Sequence, residues 1–177
     1  MKKIAVLACA LVMAVGLFAC SGGSSGGGTS EGESAPAAAA PSANLQDYGW
    51  IAFEMPEGWE DANESDKYET IAETDDSHHI MKFMVNSLTK SYPTAADKAA
   101  HDIETSTTGY TEGGTATIGN YEWTLVNFTF NDTPSFMAYA DIADERCLKV
   151  TVYEMSVDDP AVQTVFNTIS INQNELW

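Results

Sequence analysis

Basic residues are scarce: 8 Lys and Arg stand against 26 Asp and Glu, a formal charge of -18 over 177 residues. The body of the chain has no Lys/Arg cluster. A protein that neutralises phosphates needs such a cluster to release counterions, so no nucleic acid is expected among the partners. Cysteine is rare too, with Cys9, Cys20 and Cys147 as the full set. Long hydrophobic runs are missing. The uncharged apolar stretch Ile4 to Phe18 has 15 residues, short of the roughly 20 that a spanning helix requires. Residues 44–177 contain no G-x-S-x-G, H-E-x-x-H, Walker A or G-x-G-x-x-G pattern, which disfavours the common serine hydrolases, zinc proteases and nucleotide enzymes. Catalytic constellations also assemble from distant positions, so an enzyme stays open.

What is present begins at the N-terminus. Lys2 and Lys3 precede the apolar run, the arrangement of an export signal. The run closes with Leu17-Phe18-Ala19-Cys20 and passes into Ser21-Gly22-Gly23. This segment resembles the lipobox of bacterial lipoproteins. The resemblance implies cleavage after a signal peptide of residues 1–19, a diacylglyceryl thioether on Cys20, and a chain held at the cell membrane on its extracytoplasmic face. Buried methylenes contribute about 0.8 kcal/mol each, and two acyl chains pass the threshold for stable anchoring that one chain misses. The alternative is an ordinary secretory signal with a free cysteine. With Cys9 removed and Cys20 acylated, Cys147 has no partner for an intramolecular disulfide. The core must then hold the fold together.

Residues 20–43 read as the lipidated cysteine followed by a tether. From Ser21 to Ala43 the composition is Gly, Ser, Ala and Pro with one Thr, and Glu31 and Glu33 are the only charges. Such a segment buries too little apolar surface to offset its conformational entropy. As a random coil it reaches roughly 25 Å. The mature chain would set 6 basic residues against 26 acids, so lipid rather than charge must anchor it to an anionic surface.

Residues 44–177 read as a single extracytoplasmic α+β domain. The expectation is an antiparallel, meander-rich twisted sheet of about six to seven strands with helices packed on it. Ile51, Phe53 and Met55 alternate with Ala52 and Glu54 before Pro56-Glu57-Gly58, a half-buried strand and a turn. Tyr68–Glu73 and His79–Leu88 form a hairpin across Asp75-Asp76-Ser77. Thr94 and Asp97 suit a helix start, and Ala96, Ala99, Ala100 and Ile103 make a narrow apolar stripe behind them. Gly109, Gly113 and Gly114 close that region. From Thr115 the pattern is strand, with Gly119-Asn120 as a hairpin link. Tyr121–Phe130, Ser135–Ile142 and Cys147–Met155 follow, separated by four-residue links that permit only antiparallel neighbours. Asp159 and Pro160 open a closing helix with Val162, Val165, Phe166 and Ile169 at helical spacing. Apolar groups on both faces of Tyr121–Phe130 call for cover on each side of the sheet, or for a bulge.

The opening Ile51–Trp59 segment, the mid-chain helix, the Ile118-Gly119-Asn120 hairpin, the meander and the closing helix together resemble the PsbP-like α/β/α sandwich found in many small bacterial lipoproteins. The resemblance implies a fold and partner binding without known catalysis. It names no ligand and no binding motif.

The chemistry-bearing residues are few. His78-His79 beside Asp75-Asp76, with His101, suggest a metal site, but adjacent residues on a strand face opposite ways, and a solvated turn is the favoured reading. Asp61-Ala62-Asn63-Glu64-Ser65 copies the start of a calcium loop, yet Asp66 replaces the required Gly and Ala72 the bidentate Glu. A weaker calcium site there or at Asp141, Asp144 and Glu145 is kept as an alternative. Cys147 lies where Leu148, Val150 and Val152 alternate, and reads as a core thiol rather than a nucleophile. Met55, Met81, Met84, Met137 and Met155 read as core filler. Trp50, Trp59, Tyr121 and Trp123 can form a binding platform, with Tyr121 and Trp123 as the candidate ligand-binding pair and core packing as the competing reading. No metal, cofactor or catalytic residue is assigned. The expected function is a lipid-anchored extracytoplasmic binding protein acting on an envelope protein or small ligand. The alternatives are an enzyme or accessory factor for cell-wall polymers, or a weak divalent-cation binder.

Overall fold

Short links decide the sheet. Strands β6 (Thr111–Ile118), β7 (Tyr121–Phe130), β8 (Thr133–Ala143) and β9 (Arg146–Tyr153) follow one another in sequence, each separated by only two residues. Links this short leave only antiparallel pairing, and the four strands form a meander. The expected four-residue links are shorter because the strands run on into the turns. Asn131 and Asp132 adopt φ of +48° and +60°, the left-handed region that Asn and Asp tolerate.

The computed structural model describes residues 44–62, 67–74 and 78–176. The signal, Cys20 and the tether lie outside the described residues, as do the centre of the Asp61–Ser65 loop and the Asp75-Asp76-Ser77 turn. The remaining elements are β1 (Leu45–Asp47), β2 (Ile51–Glu54), β3 (Trp59–Asp61), β4 (Glu69–Thr74), β5 (Ile80–Ser87), α1 (Ala95–Thr105), α2 (Pro160–Thr168) and β10 (Ser170–Ile171). Seven strands form one antiparallel sheet in the order β3-β4-β5-β9-β8-β7-β6. The expected strand near Ile51 is not part of it. It pairs instead with β1 and β10 in a separate three-stranded sheet. All described residues lie within one compact unit.

The large sheet has cover on both faces, as the two apolar faces of β7 require. On one face Trp123 and Leu125 join Phe83, Phe136, Leu148 and Val150 against Ile51 and Phe53 of β2 and Val162, Val165 and Phe166 of α2. On the other, Val126, Met137, Tyr139 and Cys147 pack against Ala95 and Ala99 of α1. The fold is therefore α+β, with α1 on one side of the sheet and α2 with the small sheet on the other.

Both helices begin where capping chemistry places them. Thr94 accepts from the Asp97 amide at 3.2 Å, and Asp159 accepts from the Ala161 amide at 2.9 Å with Pro160 in the first turn. These bonds satisfy amides that the helix leaves unpaired. The apolar stripe of α1 is rotated from the expected one: Ala95 and Ala99 are buried, while Ala96 and Ala100 are exposed. The cause lies in tertiary bonds. The Ala95 amide donates to Asp141 Oδ1 at 2.8 Å, and Asp102 turns inward to meet Tyr139.

The Gly119 turn shows why that residue must be glycine. Its φ is +61°, and a Cβ there would lie 2.5 Å from the Phe166 carbonyl oxygen. The β6–β7 hairpin thus abuts the last turn of α2, where Asn167 Oδ1 accepts from the Gly119 amide at 3.2 Å. Upstream, β6 begins at Thr111, four residues before the expected start. Gly113 sits in a bulge between Glu112 and Gly114, with a hypothetical Cβ 2.8 Å from Leu125 Cβ. Of the three glycines expected to close the helical region, Gly113 and Gly114 belong to the strand and Gly109 precedes it.

Candidate functional site

The face of β7 that carries Trp123 and Leu125 continues through Asn127 and Thr129, which are exposed. Beside them opens a cleft of about 600 Å³. Its walls come from Thr111 and Gly113 of β6, Asn127 of β7, Ser135 and Phe136 of β8, and the Met155–Val157 segment that leads to α2. Among the described residues, every polar group lining it is an amide, a hydroxyl or backbone, with no Asp, Glu, His, Lys, Arg, Cys or Tyr. In a chain with 19% charged residues, this concave surface stands out for its lack of charge. Ser135 is not a nucleophile in waiting. Its hydroxyl donates to the Thr133 carbonyl at 3.3 Å and accepts from the Glu154 amide at 2.9 Å, and no histidine lines the cleft to activate it.

A second, more open cleft of about 550 Å³ lies beside Trp59, with Glu54, Glu57 and Asp159 on its walls. Asp159 is engaged there as the cap of α2.

The charged groups that do converge sit between α1 and the sheet. Asp102 receives Lys98 Nζ on Oδ1, and on Oδ2 it accepts from the Tyr139 hydroxyl at 2.7 Å and Lys149 Nζ at 3.3 Å. Burial works to raise the Asp102 carboxyl; the bonds from Lys98 and Tyr139 and the charge of Lys149 outweigh it, so the group titrates below its ordinary value. Tyr139 moves upward, first through burial and then through the adjacent carboxylate. A tyrosine so shifted remains a hydrogen-bond donor rather than a base. The arrangement clamps α1 to the sheet and has no cleft beside it for a substrate among those described above.

Cys147 lies on the same face, fully buried. Burial pushes its thiol from 9.0 up to about 11, with Asp141 adding to the rise. A buried thiol held protonated is a poor nucleophile, in keeping with a core cysteine. Iodoacetamide at pH 8 is expected to leave Cys147 unmodified in the folded protein and to alkylate it fully in denaturant, as read by peptide mass spectrometry. Equal labelling in both states would show that α1 does not cover it.

The platform expected of Trp50, Trp59, Tyr121 and Trp123 is not formed. Trp50 and Trp123 are buried. Trp123 packs its ring 4.6 Å from that of Phe166 and donates Nε1 to the Ile118 carbonyl at 3.2 Å. Tyr121 is half-buried, its ring 5.7 Å from that of Trp123 in a T-shaped contact; burial raises its phenol above the ordinary value, with the Ile171 backbone acting against the rise. The Tyr121–Trp123 pair therefore joins the hairpin to α2 and β10, and Trp123 has no surface left for a ligand. Trp59 alone of the four lines a described cleft.

Among the described residues, no group of three or more His, Cys, Asp and Glu is gathered as metal ligands. His101 stacks on Tyr92 at 5.0 Å, remote in sequence from His78, whose Nδ1 is 3.9 Å from Glu154. Asp141 serves the start of α1. Met55, Met81, Met137 and Met155 are buried and Met84 half-buried. The uncharged cleft carried no signal in the sequence. Its walls come from stretches around residues 111, 127, 135 and 156, and only the fold brings these together.

No described helix is long and apolar enough to cross a membrane. No family model matches the chain, and no curated protein matches it. Several solved structures are similar in backbone, among them these two. One is a protein from Bacteroides thetaiotaomicron at 12% identity and a TM-score of 0.48, covering 71% of this chain; this chain spans 46% of that protein. The other is the solution structure of cyanobacterial PsbP (CyanoP) from Synechocystis sp. PCC 6803, at 10% identity and a TM-score of 0.47, covering 80% of this chain and all of that one. At these values the likenesses assign neither a family nor a function.

Proposed function

We propose that the chain is a lipid-anchored extracytoplasmic binding protein: an acylated Cys20, a slack tether over residues 21–43 and a PsbP-like α+β domain that engages an envelope partner. The observation that carries the binding half is the uncharged cleft. A catalytic site for hydrolysis of wall polymers needs at least one titratable acid, base or nucleophile at the reacting bond, and the cleft lining has none. Amides and hydroxyls beside Leu125, Phe136 and Met155 suit recognition by hydrogen bonding and apolar contact.

The anchoring half rests on Leu17-Phe18-Ala19-Cys20 after a basic start and an apolar run. Cys20→Ala is expected to move the protein from the membrane fraction of cells to the soluble one, because two acyl chains supply the membrane affinity and the acidic domain supplies none. Retention of the variant in the membrane fraction would remove the anchor from the proposal. Cross-linking in intact cells tests the binding half independently, and is expected to trap a specific neighbour.

A further inference from the structure

The seven-stranded sheet ends in two unequal edges. β3 offers three residues and β6 offers eight. An open edge presents unpaired N–H and C=O groups, and natural proteins blunt it by shortness, by Lys or Pro, or by a covering element. The β3 edge is short. The β6 edge is long, carries no Lys or Pro, and among the described residues has no strand beyond it.

The hairpin fixes which groups point outward. Its two-residue link closes on the Ile118–Tyr121 pair, whose amides and carbonyls exchange hydrogen bonds. Alternation along the strand then directs the N–H and C=O of Thr117 and Thr115 away from β7. The side chains alternate as well. On one face β6 borders the uncharged cleft at Thr111 and Gly113. On the other it borders a groove of about 240 Å³ at Glu112 and Thr115, walled by Ala96 and Ala100 of α1. A strand added outside β6 would place successive side chains on these same two faces.

Charge selects the occupant. β6 and β7 carry Glu112 and Glu122, both exposed, and no Lys, Arg or His. Glu112 lines the α1-side groove, and Glu122 stands on that face opposite Thr117. The cleft side is uncharged. A second copy of the chain would bring another body of charge -18 and another Glu112 to the same edge, which like-charge repulsion opposes.

We propose that β6 is a docking edge for an extended segment of another protein, one with Lys or Arg on the α1-facing positions and uncharged residues on the cleft-facing ones. This rests on the binding-protein reading above and gives it an address. Main-chain bonds to Thr115 and Thr117 supply affinity, and the alternating side chains supply selectivity.

The test uses the full chain in detergent and three dye-labelled eight-residue peptides: Lys alternating with Val, Glu alternating with Val, and Lys and Val in separate blocks. Anisotropy is expected to show the alternating Lys peptide binding at least about fivefold more tightly than the other two, since opposed charges favour cross-strand pairs and like charges disfavour them. Amide exchange at Thr115 and Thr117 should slow on binding. Thr117→Pro removes an outward N–H at a position where an edge tolerates proline, and should abolish binding, whereas Thr117→Val should keep it. Glu112→Lys, an exposed change that leaves the core intact, should erase the preference for Lys over Glu.

Equal binding of the blocked peptide, protection elsewhere on the sheet, or a Thr117→Pro variant that melts and binds as the parent does would overturn the proposal. So would self-association through β6, seen as a dimer by sedimentation with Thr115 and Thr117 protected in the absence of peptide. Should in-cell cross-linking to a neighbour persist in Thr117→Pro, the binding reading stands and the edge assignment falls.

Discussion

Trp123→Ala is expected to destabilise the domain by about 3–5 kcal/mol, the usual range for emptying a fully buried aromatic site. Trp123 has no exposed surface and sits where three elements meet. Its ring packs on Phe166 of α2 and makes a T-shaped contact with Tyr121, and its Nε1 donates to the Ile118 carbonyl at the end of β6. Deleting the indole removes contact with α2 and frees the hairpin end together. Little collapse can follow, because Gly119 already lies against the Phe166 carbonyl and leaves the hairpin no room to advance. The midpoint of thermal unfolding, followed by circular dichroism, should fall by roughly 10–20 °C for a domain of this size. Trp123→Phe keeps most of the apolar contact and should recover more than half of that loss. A Trp123→Ala variant within 1–2 °C of the parent would mean that the indole is not packed as described, and would return it to consideration as a binding surface.

That outcome bears on how much of the molecule can be read from the chain. Local chemistry was legible. The capping residues Thr94 and Asp159, the glycine of the β6–β7 turn and the short links of the meander each act within a few residues of themselves, and a linear pattern suffices to find them. The faces of α1 were not legible. Ala95, Ala96, Ala99 and Ala100 are chemically alike, and the choice of the inward pair is made by Asp141 and Tyr139, some 40 residues downstream. Gly113 reads as a breaker in sequence but serves as a bulge whose missing side chain makes room for Leu125. Tyr121 and Trp123 carry the residue types of a binding platform, and burial against Phe166 decided against it. The cleft and the β6 edge hold no distinctive residues. They are defined by what the fold leaves uncovered, a property that no single segment encodes.

The second large effect concerns the charge that holds α1 down. Asp102→Ala is expected to cost roughly 1.5–3 kcal/mol, the range for losing hydrogen bonds to a charged group. Tyr139, with no exposed surface, is left with only the Met137 sulfur at 3.4 Å as a weak partner, and Lys98 and Lys149 lose their shared carboxylate. The cost stays below the 3–5 kcal/mol or so of a fully buried pair, because the lysine side chains keep 16% and 22% of their exposure and can turn to water. Acid dependence separates the charge from the packing. The Asp102 carboxyl titrates below its ordinary 3.8 in the folded chain. At a pH between the two values the unfolded chain binds the proton and the folded chain does not, so acid favours unfolding. The contribution is complete above the unfolded value and fades as pH falls through the lower folded one. Urea titrations of Asp102→Asn should therefore run parallel to, and below, those of the parent at pH 6–8 and converge on them below about pH 4. The amide oxygen of the Asp102→Asn variant can still accept from Tyr139, which makes its loss smaller than that of the alanine variant at neutral pH. A constant gap between parent and Asp102→Asn from pH 7 down to pH 3 would show that the carboxylate's charge contributes nothing, and that α1 is held to the sheet by Ala95, Ala99 and the Asp141 bond alone.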